Sequence, residues 1–452
     1  MSILIISDLS FLVLFTLGVV LFLYANRKNI HREGIMYLYK TQLGVKLIDI
    51  IGKKFGKTIR SLHYTVIALG YLLFAGMMFI IGQTIYIYLA IPQITETIKT
   101  PPLLPLIPYF PQLFGAESLF PPFYFIYFLL ALIVVAFSHE FSHGIFARAN
   151  NVRIKSTGVA FLGPILGAFV EQDDKQMTKK DKVPQMAILG AGVFANTIMA
   201  IIFFLLLVLT FNTMFQPSGV IFSSYSYGIV NMSQVTNITN NTDGVMYIQT
   251  TTQKYITDNS TFNKQMSSNE QLIIAFLDAP AVRNNISGAI KEINGIKTTS
   301  FESFLEEFSK YKPSDTVTIK TTVGQYEIVL DKHPLNNSNP FLGVGFRNTD
   351  NQKIISKIFS FKKANVYYEA KFMGANFTYN LFWWIAIINI MVGMFNMLPF
   401  GFLDGGRFFY LTVLGITKSE KKAEKAFKIA TKIILGLFII LMLVWLLAFK
   451  IR

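Results

Sequence analysis

The 452-residue chain is 52% hydrophobic and only 15% charged, with a mean hydropathy of +0.46, a balance that excludes an ordinary soluble enzyme. It has no cysteine, so disulfides, thiolate nucleophiles and Cys-bound metals are excluded, and any metal must be held by His, Asp or Glu. The net charge of +15 raises nucleic acid as a partner, but the basic residues alternate with apolar runs and do not gather on one folded face.

Six apolar runs reach the roughly 20 residues a helix needs to cross a bilayer: 3–25, 65–92, 122–146, 186–212, 378–399 and 430–449. The first is too long, and too poor in small residues at its end, for a signal peptide; it reads as a retained span. Residues 26–63 carry nine Lys or Arg against two acids and 148–183 seven against four, whereas 93–121 has one Lys and two Glu. This positive-inside pattern puts 26–63, 148–183 and 407–429 in the cytoplasm of a multi-pass cell-membrane protein, with 213–377 outside. The same basic loops suit anionic lipid headgroups. Seven N-x-S/T sequons, at Asn231, Asn237, Asn240, Asn259, Asn285, Asn336 and Asn376, all fall in the outer stretch.

The expected fold is a polytopic α-helical membrane protein of about six transmembrane helices with a small α+β soluble domain inserted. Its parts are N-terminal helices and a basic loop (1–120), a membrane core (121–212), an extracytoplasmic domain (213–350), and an interfacial helix followed by two further spans (351–452).

The third run ends in "FSHEFSHGI" (137–145) after fifteen uncharged residues, 122–136. His139 and His143, four apart on a helix, project from one face and can reach one ion, while Glu140 beside them can act as a base: two zinc ligands and a general base. The alternative is a polar helix end at the membrane interface. Ionisable groups within a span are costly, which favours function. Next in the chain, "STGVAFLGPILGAFVEQDD" (156–174) is apolar, Gly-rich and carries Pro164, too broken to span, and on its own reads as a re-entrant packing loop.

In the outer segment, "NMSQVTNITNNTDG" reads as loop or glycan-bearing surface. "GAIKEINGIKTTS" is a strand, a turn at Asn294–Gly295 and a second strand. "SFESFLEEFSKY" puts Phe301, Phe304, Leu305 and Phe308 on one helical face, and "DTVTIKTTVGQYEIVL" is a hairpin turning at Gly324. This order resembles the last two-thirds of a PDZ domain; the other reading is a generic α+β domain. Residues 352–374, Lys mixed with Ile, Phe and Tyr, read as an interfacial or linker helix. Finally, "NMLPFGFLDGGR" (396–407) ends an uncharged span with Asp404, at the same predicted depth as His143, and so offers a third ligand from a second helix.

H-E-x-x-H in one span with N-x-x-P-x-x-x-L-D-G in a later one is similar to the site-2 protease family of intramembrane zinc metalloproteases. "AGVFANTIMA", with Gly192 and Asn196 one helical turn apart, resembles that family's Gly/Asn helix. An outer PDZ-like insertion also fits, and the resemblance covers roughly 120–450. It implies zinc held by His139, His143 and Asp404, with Glu140 as base. Asn196 and Asn396 would line the site and bond the scissile region or its oxyanion; the alternative for each is interhelical glue. Asn389 and Gly393 share the Asn396 face. The 156–174 stretch would be a membrane-dipping hairpin whose edge pairs with extended substrate. Many relatives carry proline where this chain has Gly401 and Phe402, which loosens the expectation of how Asp404 is aimed. Transmembrane proteins would be the substrates. The alternative from another class is a non-proteolytic scaffold or zinc carrier; against it, neither Glu140 nor a ligand is missing, and the spans hold few other ionisable groups.

Overall fold

The computed structural model describes residues 3–90, 101–103, 106–240, 244–267, 271–347 and 360–450. The chain divides into two compact units, 1–210 with 376–452, and 211–375 between them. The first unit opens with α1 (Ile3–Ala25), then β1 (Ile30–Glu33), β2 (Met36–Thr41), α2 (Leu43–Lys54), α3 (Gly56–Ser61) and α4 (His63–Ala90). α5 (Phe125–Ala149) leads into the hairpin β3 (Ile154–Leu162) and β4 (Ile165–Gln172), and α6 (Lys182–Met214) follows. The 156–174 stretch is thus a hairpin and not an irregular loop. It extends a four-stranded antiparallel sheet, β1-β2-β3-β4, with β4 at the edge. Gly158 at its centre has no alternative: a Cβ there would lie 2.3 Å from the Tyr39 carbonyl oxygen and 2.5 Å from the Phe169 ring.

Among the described residues, the inserted unit holds two large sheets and two small two-stranded ones, Asp331–His333 with Asn336–Phe341 and Ser224–Tyr225 with Val344–Gly345. β5 (Phe215–Val220) begins it, followed by β6 (Tyr227–Asn231), β7 (Val235–Asn240), β8 (Val245–Thr250), β9 (Lys254–Asp258), α7 (Asn259–Ser267) and β10 (Leu272–Leu277). β6 to β10 form an antiparallel sheet in the order β6-β10-β9-β8-β7 over Val230, Ile248, Phe262 and Ile273. The polar stretch expected to be loop is therefore largely strand. Among its described residues, only Met232 and Val235 pack against that core; Ile238 and the Asn and Thr around it are exposed. β11 (Ile290–Ile293), α8 (Phe301–Phe308), β12 (Thr316–Thr321), β13 (Gln325–Val329) and β14 (Val366–Ala370) complete the second sheet, in the order β13-β12-β11-β5-β14.

The turn after β11 uses Asn294 (φ 49°) and Gly295 (φ 80°), the left-handed pair that a tight hairpin demands. Ile290, Ile293, Val317, Ile319 and Ile328 are almost wholly buried, each worth about 1.5–3 kcal/mol of apolar burial. Ser300 and Ser303 cap α8 reciprocally. Phe301, Phe304 and Phe308 turn into this core, but Leu305 does not: it is 46% exposed, while Glu307 is buried and bonded by Lys310 and Tyr311. The helix expected over 352–374 is corrected at its C-terminal end. Residues 366–370 alternate as strand β14 on β5, with Glu369 paired to Lys291 at 2.8 Å, and 352–359 lie outside the described residues. That pairing carries the inserted unit past 350.

α9 (Ala375–Asn396), α10 (Asp404–Thr417) and α11 (Glu420–Lys450) return to the first unit. Among the described residues, six helices are long and apolar enough to cross a membrane: Ile6–Ala25, His63–Ala90, Phe125–Ala149, Lys182–Met214, Ala375–Asn396 and Glu420–Leu447. α5 is central. Its N-terminal half packs with Phe110, Phe123, Trp384 and Ile385, and its C-terminal half with Ile48, Val66, Ile188, Met397 and Phe408. Both ends are pinned. At the start, Asp8 of α1 accepts hydrogen bonds from the Phe125 and Ile126 amides at 2.7 and 3.1 Å and from the Tyr109 hydroxyl. It satisfies donors that the helix cannot pair internally. At the end, Arg60 donates to the Ala149 carbonyl at 2.6 Å and Asn150 to His63 Nε2 at 3.1 Å.

Candidate metal centre

The helical repeat of α5 puts His139 and His143 one turn apart, both buried, with their rings 4.7 Å apart and nearly perpendicular. His143 Nδ1 lies 2.7 Å from the Ile188 carbonyl oxygen, which can only accept. Nδ1 therefore carries the proton, and in the neutral ring Nε2 is a bare lone pair. His139 Nδ1 sits 3.1 Å from the amide of Asn196, a residue with no exposed surface. The two ends of an Asn amide have the same shape. With its oxygen turned toward His139, Asn196 accepts the Nδ1 proton and leaves Nε2 of that ring bare as well.

Asp404 arrives from α10. α9 stops at Asn396, and residues 397–403 turn tightly, with the Phe400 amide on the Leu398 carbonyl at 2.8 Å and the Leu403 amide on the Phe400 carbonyl at 3.1 Å. Thr431 of α11 donates to the Pro399 carbonyl at 2.6 Å. Gly405 and Gly406 let the start of α10 lie on that turn: Cβ atoms there would come within 2.2 Å of the Met397 carbonyl and 2.1 Å of the Phe400 oxygen. Side chains at 405 and 406 would therefore push α10 off that turn.

The result is a nearly equilateral triangle. His139 Nε2 and His143 Nε2 are 3.0 Å apart, and Asp404 Oδ2 lies 3.1 and 3.2 Å from them. Three lone-pair atoms converge on one point. Tetrahedral zinc with bonds of about 2.0–2.1 Å sets ligand–ligand edges of roughly 3.3 Å, so the donor set and its size both fit that ion. The side of α6 facing the triangle is bare: a Cβ on Gly192 would lie 2.5 Å from both Nε2 atoms. Among the described residues, these three form the single group of metal-ligand type whose donor atoms lie within 4.8 Å of one another.

Glu140, partly exposed on the same helix, accepts a hydrogen bond from the Val170 amide of edge strand β4 at 3.1 Å. Asn396 brings its amide within 3.5 Å of His139 Nε2. The structure therefore gathers His139, Glu140, His143, Asn196, Asn396 and Asp404 in one region, with Asn196 bonded to a histidine on its far side from the triangle. Asn389, two turns back along α9, is fully buried, with its Nδ2 on the Ile385 carbonyl and its Oδ1 unpartnered. Two contributors escaped the sequence reading. Asp8 was legible as an acid inside an apolar run. The Val170 amide, a main-chain group, leaves no sequence signal.

An uncharacterised protein of Methanocaldococcus jannaschii is 30% identical over 182 residues, 39% of this chain and 45% of that protein, so the match spans less than half of that relative. A protein of Clostridium perfringens, whose zinc metalloprotease designation is itself provisional, is 22% identical over 364 residues, 70% of this chain and 96% of that one. The model of peptidase family M50 matches residues 127–443, from within the His139–His143 helix to beyond Asp404. The chain belongs to peptidase family M50, the site-2 protease family, and is a multi-pass membrane protein.

Proposed function

We propose that the protein is an intramembrane zinc metalloendopeptidase that cuts transmembrane segments of other membrane proteins, with its site toward the cytoplasmic side and residues 213–377 outside. The observation that carries this reading is the triangle: three acceptor atoms from α5 and α10 within 3.2 Å of one another, with a glutamate beside them. His139, His143 and Asp404 would hold the ion. Zinc there would supply a Lewis acid for the scissile carbonyl and a water acidic enough to attack near neutral pH.

The chain's own groups do the rest. Glu140, held by the Val170 amide, takes the proton of the attacking water and returns it to the leaving amine. Asn396 donates its amide to the carbonyl oxygen as that oxygen gains charge. Asn196 fixes the tautomer of His139, acting through the ligand and not on the substrate. A substrate helix must unwind locally, because its amides are otherwise bonded internally, and the outer edge of β4, apart from the Val170 amide that Glu140 occupies, offers partners for the released backbone. The second sheet of the inserted unit, with α8 across it, we read as PDZ-like.

The test uses purified protein in lipid nanodiscs, a transmembrane reporter and metal analysis. Glu140→Gln should keep about one zinc per chain and lose cleavage, whereas Asp404→Asn should lose zinc. Retained cleavage in the first, or full zinc in the second, refutes the assignment. Neither the scaffold nor the carrier alternative gains any specific support from the site.

A further inference from the structure

Between α5 and the sheet lies a cavity of about 200 Å³, lined almost wholly by carbon. Phe137, Glu140 and Phe141, at i, i+3 and i+4 on α5, form one wall, and Val159, Ala168 and Val170 of the hairpin form the other. Phe137 and Phe141 stack at 5.2 Å, and Phe137, 58% exposed, is the rim. The floor is closed by the start of α2, where Gly44 sits against Thr157. The metal triangle uses none of these lining residues, although Glu140 is shared with the proposed chemistry.

Two features tie the cavity to an extended chain lying at the site. The Val170 amide is turned away from β3, since it bonds Glu140, and by the two-residue period of a strand the main-chain groups of Ala168 and Leu166 face outward too. A strand added along that edge would carry alternate side chains toward α5, the side on which Val159, Ala168 and Val170 open. The volume also matches. A dry apolar cavity of about 150 Å³ accepts a benzene ring, so 200 Å³ holds one Phe, Leu or Met side chain and is generous for Ala.

We propose that this cavity is a specificity subsite that receives one large apolar side chain of the substrate next to the bond cut, with Ala168 and Phe137 setting its depth and mouth. This rests on the proteolytic reading given above. A subsite that fills an apolar pocket discriminates by roughly 10–200-fold between side chains differing by a methylene or more.

The experiment uses the full chain with zinc in nanodiscs and transmembrane reporters varied to Gly, Ala, Leu, Met, Phe and Trp at each position flanking the mapped cut. One position should favour Phe, Leu or Met over Ala by at least tenfold in kcat/KM. Ala168→Leu, which fills the cavity, should lower that Phe/Ala ratio at least tenfold, and Phe137→Ala should raise the Trp/Phe ratio at the same position. Ratios are insensitive to partial misfolding, which scales all substrates alike. Unchanged ratios in both variants overturn the proposal. A second readout is independent of turnover: in Glu140→Gln, a photoreactive Phe analogue at that position should cross-link to Phe141 or to hairpin residues 159–170. Cross-linking there without cleavage in the wild type would sink the proteolytic reading and keep the subsite; cleavage with cross-links elsewhere would do the reverse.

Discussion

Gly192→Ala isolates the geometry on which the metal centre depends. A single added methyl would stand 2.5 Å from both His139 Nε2 and His143 Nε2, where ordinary contact begins near 3.4 Å. One or both rings, or α6 itself, must therefore move by about 1 Å. Displacements of that size at reacting groups cost on the order of 100-fold in rate. Helix propensity works the other way, since Ala is better than Gly by about 1 kcal/mol inside a helix, so loss of function would not follow from a weaker α6. Gly393→Ala is the control: its Cβ would lie 3.7 Å from the nearest neighbour, an ordinary contact on the adjoining helix. The assay is zinc per chain after dialysis, with cleavage of the reporter and thermal stability alongside. Gly192→Ala should lose zinc and at least 100-fold in kcat while Gly393→Ala keeps its zinc. Full zinc and near-normal turnover in Gly192→Ala would show that the histidines do not meet where the structure has them.

Asn196→Ala should weaken zinc binding by roughly 10–100-fold, the usual effect of losing a group that orients a ligand, and Asn196→Asp, which keeps an acceptor, should restore most of it; titration with a competing chelator reads both. Asp8→Ala leaves the Phe125 and Ile126 amides of α5 without their cap and should lower stability by about 1–2 kcal/mol, seen as a fall in Tm, with Asp8→Asn intermediate. Hydrogen bonds from Lys40 and Ser156 hold the Glu171 carboxyl below the usual carboxylate range. Its stabilising effect is therefore present above the unfolded value of about 4.3 and fades as pH falls through the lower folded value. At a partly exposed site this is worth under about 1 kcal/mol; protection factors of the hairpin amides, their exchange relative to the intrinsic rate at each pH, should be lower at pH 3 than at pH 6, and Glu171→Gln should remove most of that difference. Deleting residues 215–370, the whole of the two paired sheets, should broaden the set of transmembrane reporters cut if the inserted unit screens substrates by size; an unchanged set would remove that role.

Two aspartates show how far the sequence could be read. Asp404 was legible because its signal is local. It closes an uncharged run, two glycines follow it, and those glycines prove to be the residues whose missing side chains let α10 lie on the turn at 397–401. Its distance from the histidines is not local at all. Some 260 residues intervene, and only the depth argument, drawn from loop charge, brought them to one level. Asp8 is equally local, one acid in a run of apolar residues, yet its partners are main-chain amides of Phe125 and Ile126, and no residue type betrays an uncapped helix start. The same holds for Val170 and Glu140. The strand reading failed for the same reason where it failed. β14 exists because β5 has an open edge 150 residues earlier, and β6 to β10 because spaced apolar residues in an Asn- and Thr-rich stretch share one face. Side-chain chemistry and its period are written in the sequence. Main-chain partners are assigned only by the fold, so a site built partly from backbone amides, as this one is at Glu140, is read from its ligands outward and never in full.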